Sequence, residues 1–189
     1  MARKYNPVAI ALGANLPGHM DSPQAEIAAA VAEIRKSDLE VMHVSRFWRT
    51  PAVPQGSGPD FVNAALLARS DVAAQGILAL LHDIELRAGR VRRRRWGARV
   101  LDLDLLAVGD LILPDIDTFR QWQGLDPAAQ QQRAPDGLVL PHPRLQDRAF
   151  VLAPLREIAP DWRHPVLQLS VAEMHDALPA RAFAGMVPI

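Results

Sequence analysis

Asp102 and Asp104 stand one residue apart in the stretch RRRRWGARVLDLDLL, residues 92–106. On a strand, residues two apart point to one face, so the two carboxylates project together while Leu101, Leu103 and Leu105 fill the other. Carboxylates about 7 Å apart along one face repel unless something neutralises them, and no lysine sits beside them in sequence. A divalent cation is the economical partner. With no histidine or cysteine alongside, the oxygen donors favour a hard ion such as Mg²⁺, which also takes substrate phosphates. A bare D-x-D is equally the solvated face of an edge strand, so the pair alone decides nothing.

The arginines shift the balance. Arg90, Arg92, Arg93, Arg94, Arg95 and Arg99 crowd ten residues before the acids, and guanidinium forks suit phosphate oxygens through bidentate hydrogen bonds. Alone, such a run is a solvated loop or a nucleic-acid patch; next to two candidate metal ligands it makes a site for a metal-complexed polyphosphate. Gly89 and Gly97 bracket the segment and would let it close over phosphates. Neither a P-loop nor the protein-kinase motif set occurs, so arginines and metal would have to form the phosphate cradle. Phe61 and Asn63 share a face of the strand DFVNAA, offering one ring to stack and one amide to read a hydrogen-bonding edge. Phe150, Trp96 and Trp48 are further stacking candidates; core packing is the plainer reading for each.

These residues need elements to position them. PVAIAL (7–12) reads as a buried strand stopping at Gly13 and Asn15. Ile27, Ala30, Val31 and Ile34 recur at helical spacing between Ser22 and Lys36, with Ser22 as N-cap and Pro23 at the first helical position. Residues 39–50 and 60–70 predict two strands joined by a breaker-rich loop. Asp71 is placed to cap a helix to about Ala88, ended by Gly89, and a strand over 98–109 carries the aspartates. The order β-α-β-β-α-β is the ferredoxin-like split arrangement: an α+β fold with an antiparallel sheet packed by helices. Residues 114–137 predict an insertion over the surface with a short helix around Phe119 to Leu125. A turn, an amphipathic helix and a short closing helix form a C-terminal helical extension.

At 189 residues the chain fits one domain, 1–189. Hydrophobic residues at 49% and charged ones at 22% describe a globular protein rather than a disordered one. Lys+Arg and Asp+Glu are both 21, so no global field draws the chain to nucleic acid or an anionic membrane, and any anion site is local. The absence of cysteine removes thiolate and disulfide chemistry. No segment reaches the about 18 apolar residues of a membrane span, and the N-terminal run reads as a strand, not a signal peptide. The expectation is a cytoplasmic monomer acting on small molecules, with no nucleic-acid or membrane partner.

FWRTPAV, PDFVNAAL, IELRAGRVR, RWGARVLDLDLL and LPHPRLQDRAFVLAPLREIAP occur in this order. Together they resemble the 6-hydroxymethyl-7,8-dihydropterin pyrophosphokinase family of folate biosynthesis. The resemblance implies an α+β ferredoxin-like core and transfer of pyrophosphate from ATP, the co-substrate, to the pterin hydroxymethyl group with release of AMP. It implies that Asp102 and Asp104 hold two Mg²⁺ ions, that Arg90 and Arg92 close on the phosphates, and that Arg99 lies near the junction of pterin and phosphate. Thr50, Pro51, Val53, Phe61, Asn63, Trp96 and Phe150 would form the pterin slot, with the pterin between Phe61 and Phe150. His82, Glu85, Arg92, Trp96, His142 and Arg148 would take ATP. His82 stands where many members carry glutamine, and Phe61 where tyrosine is frequent. Two rivals keep the same elements: an RNA-binding module on a ferredoxin-like sheet, disfavoured by zero net charge and by acids on the binding face, and transfer of a single phosphoryl group.

Overall fold

A computed structural model of the chain describes residues 5–52, 58–89, 99–126, 129 and 132–189. Its centre is an antiparallel sheet built on β1 (Asn6–Ala14), an almost wholly buried run that pairs with β4 (Phe61–Ser70) on one side and β5 (Asp102–Val108) on the other. The strand order is β5-β1-β4-β3-β6, with β2 (Glu40–Val44) and β3 (Trp48–Thr50) both pairing with β4, and β6 (Val187–Pro188) closing on β3. β5 is therefore an edge strand.

Residues 39–50 do not form one strand. Ser45 breaks them: its hydroxyl donates to the Arg46 carbonyl and accepts from the Ala65 amide at 2.9 Å, occupying a group of β4 that an unbroken ladder would use. Short polar side chains interrupt ladders in this way. β5 likewise starts later than predicted. The Arg99 carbonyl is already taken by the Asn15 and Leu16 amides, which fold the segment before the strand onto the end of β1.

Helix α1 (Pro23–Ile34) begins where its signals place it, with the Ser22 side chain accepting from the Ala25 amide. Helix α2 (Ala74–Arg87) begins later than an Asp71 cap would allow; Ala73 is its N-cap and no side chain caps it. Gly89, at φ +83°, turns the chain away at its far end, a conformation glycine adopts without strain. α1 and α2 cover one face of the sheet, where Ile10, Leu12, Leu103 and Leu105 meet Ile27, Ile34, Ile77 and Leu81. Burying each such side chain stabilises the fold by about 1.5–3 kcal/mol, and truncating one to alanine costs about 2–5 kcal/mol.

The second face is covered too. There Ala9, Ala11 and Ala65 keep the sheet surface low, and α4 (Ala149–Ile158) and α5 (Val171–Ala177) lay Val151, Leu152, Leu155 and Met174 against it. α5 opens with a reciprocal capping box between Ser170 and Glu173. The predicted insertion contains α3 (Ile116–Gln123), capped by Asp115, and it is not purely superficial: Phe119 is fully buried, and Leu113 pairs with Leu140 across the base of the segment. The short β6 lay outside the sequence expectation. Among the described residues no helix is long and apolar enough to cross a membrane.

Candidate active site

Register places the chemistry. Asp102, Gly13 and Asn63 are direct partners across β5, β1 and β4, and Asp104, Ala11 and Ala65 form the next such row. Directly paired residues share a face, so both aspartates and Asn63 look towards the side on which α4 packs, away from α1 and α2. Gly13 is required in its row. A Cβ there would stand 2.9 Å from the Asn63 amide oxygen, which occupies the space a side chain would fill.

Each aspartate already has a cation. Arg99 donates from Nη1 to Asp102 Oδ2, and Arg148 donates from Nη1 to Asp104 Oδ2 at 2.9 Å. Sequence spacing could not supply the second pairing, because Arg148 comes from the residue before α4. Both pairs are only partly screened from water. Among the described residues no group of three or more His, Cys, Asp or Glu side chains gathers, so there is no all-protein metal cage. Two carboxylates on one face, backed by arginines, are instead the donor set that suits Mg²⁺ arriving with phosphate oxygens of its own.

A cleft of about 610 Å³ runs along the outer edge of β5. Asp102, Leu103, Asp104 and Leu105 form its floor, Leu78, His82 and Glu85 of α2 one wall, and His142, Arg144 and Arg148 the other. That volume is within the range of small-ligand sites. Glu85 is buried, and its carboxylate accepts from the Leu103 amide at 2.8 Å, bracing the open edge of the strand. His82 is exposed at the rim.

His142 is fixed by backbone and neighbour. Its amide donates to the Leu106 carbonyl at 2.7 Å, and its Nδ1 accepts from the Arg144 amide at 3.1 Å. Nδ1 is therefore the acceptor and the proton sits on Nε2. Burial first, then the charges of Arg148 and Arg144, push the imidazole well below its ordinary range. The ring is thus held neutral, with Nε2 as its donor atom.

On the other side of the row, the Asn63 amide donates to Thr50 Oγ1 at 2.8 Å, and Thr50 pairs with Phe61 in the ladder. Both buried polar groups are thereby satisfied. Phe150 is exposed in the first turn of α4, and the Arg148 guanidinium lies 5.7 Å from its ring centroid. Trp48 is not a free stacking group: its indole donates to Glu157 Oε1, which also holds Arg46. Pro51 is described, half-buried, at the end of β3. Val53, Arg90, Arg92 and Trp96 lie outside the described residues, as do Arg93, Arg94, Arg95 and Gly97.

Several residues that sequence reasoning missed converge here. Asn15, buried just past β1, accepts from the Arg99 amide at 2.7 Å and donates to the Pro59 carbonyl at 3.1 Å, tying both flanking loops to one side chain. Trp122 and Arg133, from the segment expected as surface, line the same cleft as the aspartates. A lone asparagine after a strand gave no signal beyond a turn.

The chain matches the 7,8-dihydro-6-hydroxymethylpterin-pyrophosphokinase (HPPK) family over residues 9–160. It is 34% identical over 182 residues to the 2-amino-4-hydroxy-6-hydroxymethyldihydropteridine pyrophosphokinase of Synechocystis sp., covering 95% of this chain and 80% of that protein. It is 35% identical over 159 residues to the Pseudomonas aeruginosa protein of the same name, covering 84% and 83%. Among solved structures, Plasmodium falciparum HPPK-DHPS with pterin and p-hydroxybenzoate superposes with a TM-score of 0.65 at 13% identity, over 97% of this chain and 45% of that one. The chain thus spans less than half of that solved chain, and at this identity the likeness concerns the fold alone. The match over most of the sequence and the relatives above 30% identity make this chain a member of the 7,8-dihydro-6-hydroxymethylpterin-pyrophosphokinase family.

Proposed function

We propose that this chain transfers pyrophosphate from ATP to the hydroxymethyl group of 6-hydroxymethyl-7,8-dihydropterin, releasing AMP, as a step of folate biosynthesis. The observation that carries the reading is the pair Asp102 and Asp104, facing one way on the edge of a cleft that Arg99, Arg144 and Arg148 also line. The sheet order, with β5 and β4 flanking β1 and the β2/β3 pair beyond β4, supports the ferredoxin-like arrangement.

Two Mg²⁺ ions held by Asp102 and Asp104 would neutralise the polyphosphate and sharpen the attacking hydroxyl. The protein's own residues do the rest. Arg99 and Arg148, which now pair with the acids, are the cations that meet the phosphates, and by the family resemblance Arg90 and Arg92 would add to them. His142 donates from Nε2 to a phosphate oxygen and, being neutral, adds no charge that must be desolvated. Glu85 keeps the β5 edge in register. Phe61 and Phe150 stack the pterin, Thr50, Pro51 and Val53 complete its slot, and Asn63, oriented by Thr50, presents its amide oxygen to the pterin edge. By the family resemblance Trp96 would line the same pocket, and His82 stands at the ATP rim. The hydroxyl oxygen bonds to the β-phosphorus as the bridging α–β oxygen departs with AMP and the hydroxyl proton is lost to solvent, a displacement that positioning and charge stabilisation suffice to accelerate.

Nucleotide product analysis tests this. AMP formed only when ATP, Mg²⁺ and the hydroxymethyl dihydropterin are all present is the expected result; ADP, or no dependence on the pterin, overturns it.

A further inference from the structure

Helix α3 is anchored at its N-terminus and through one buried ring. Its N-terminus is capped by Asp115, which accepts from the Thr118 amide at 2.8 Å and from the Thr118 hydroxyl at 3.0 Å. Its one fully buried side chain, Phe119, packs on His164 with ring centroids 5.4 Å apart. Trp122 follows three residues later, a neighbour on the helix surface, and reaches the cleft with part of its surface open. Arg133, exposed on the returning chain, lines the same cleft with its guanidinium carbon 5.6 Å from the centroid of the Trp122 ring. Among the described residues no carboxylate pairs with Arg133.

The lining of the cleft is of two chemical kinds: Asp102, Asp104, Arg144 and Arg148 supply charge, while Trp122, Leu138 and Val139 supply ring and apolar surface, with Arg133 and Asp136 also present. A nucleotide has the same two parts, a charged polyphosphate and a flat aromatic base. An anchored indole with a guanidinium over it presents two flat groups on which a base stacks, through ring contact and cation–π attraction.

We infer that Trp122 and Arg133 form a base-stacking subsite for the nucleoside end of the phosphate donor, so that α3 and residues 132–137 help to bind the nucleotide. The inference rests on the proposed reading of ATP as donor. Stacking engages any base face, so the pair adds affinity for a nucleotide over bare polyphosphate and does little to choose among bases.

The test is titration calorimetry with Mg²⁺ and two probes, α,β-methylene-ATP and inorganic tripolyphosphate, on the wild type, Trp122→Ala, Trp122→Phe and Arg133→Ala. Trp122→Ala should weaken α,β-methylene-ATP about tenfold or more. Arg133→Ala should weaken it by about two- to fivefold, and Trp122→Phe should retain most of the affinity. Tripolyphosphate binding should stay unchanged in all three. Wild-type affinity for α,β-methylene-ATP in both Trp122→Ala and Arg133→Ala, or a matching loss of tripolyphosphate binding, would overturn the subsite while leaving the donor assignment intact. A wild type that ignores α,β-methylene-ATP altogether would remove the donor assignment and this inference with it.

Discussion

The ion pair between Asp104 and Arg148 is open to water on both partners, with side chains 33% and 20% exposed, so it contributes at most about 1 kcal/mol to stability. Its value lies in holding charge ready. Replacing Asp104 by asparagine keeps the shape of the side chain and removes its charge. Turnover should fall by roughly two orders of magnitude or more, while the thermal midpoint moves by only a few degrees; near-normal turnover would remove Asp104 from the proposed metal site. His142 makes a different prediction at the same scale. Because burial and two arginines hold it neutral, it should not titrate between pH 6 and 8, and the kcat/KM profile of His142→Gln should keep the wild-type shape over that range at a lower level. If a wild-type acid limb vanished in the variant, the neutral-donor role would be wrong.

At the scale of elements, the row Asp102, Gly13, Asn63 shows how three strands assemble a site that no single segment contains. Gly13→Ala would press a methyl group against the Asn63 amide oxygen at 2.9 Å. The Thr50 contact holds the other end of that amide, so relieving the clash tilts the amide away from its partner. The expected outcome is a KM for the pterin raised severalfold with the KM for ATP nearly unchanged, measured by steady-state kinetics; equal changes in both would mean that the glycine serves only the sheet. The same row explains what was legible beforehand. Period-two alternation put both aspartates on one face, and apolar runs and a serine cap placed β1, α1 and β4, because those signals are local. The split at Ser45 was hidden because a hydroxyl's choice of partner depends on β4. β6 was hidden because two residues carry no period. Arg148 and Trp122 entered the site through tertiary packing, which leaves no mark on the spacing of either segment.

For the whole molecule, the same packing couples acid to structure. His164 is wholly buried between Phe119 of α3 and Trp162, its Nδ1 accepting from the Val166 and Leu167 amides while its Nε2 has no hydrogen-bond partner among the described residues. Burial lowers its pKa from 6.5 to about 4. The unfolded chain therefore binds a proton near pH 6.5 that the folded chain refuses until about pH 4. Stability present above pH 6.5 is lost as pH falls through that window, by about 2 kcal/mol at pH 5 from this residue alone. His142, also depressed, adds loss of the same sign. His164→Asn offers an amide oxygen to the two backbone donors but has no proton to gain. Urea midpoints of the wild type should drop between pH 7 and pH 5, and the variant, though less stable at pH 7 for lack of ring contacts, should show a shallower drop. Equal slopes would mean that His164 stays protonated in the fold. Because the Phe119 contact also anchors α3, the first local opening on acidification should be at Trp122, ahead of the sheet, and hydrogen exchange of the α3 amides at pH 5 should report it.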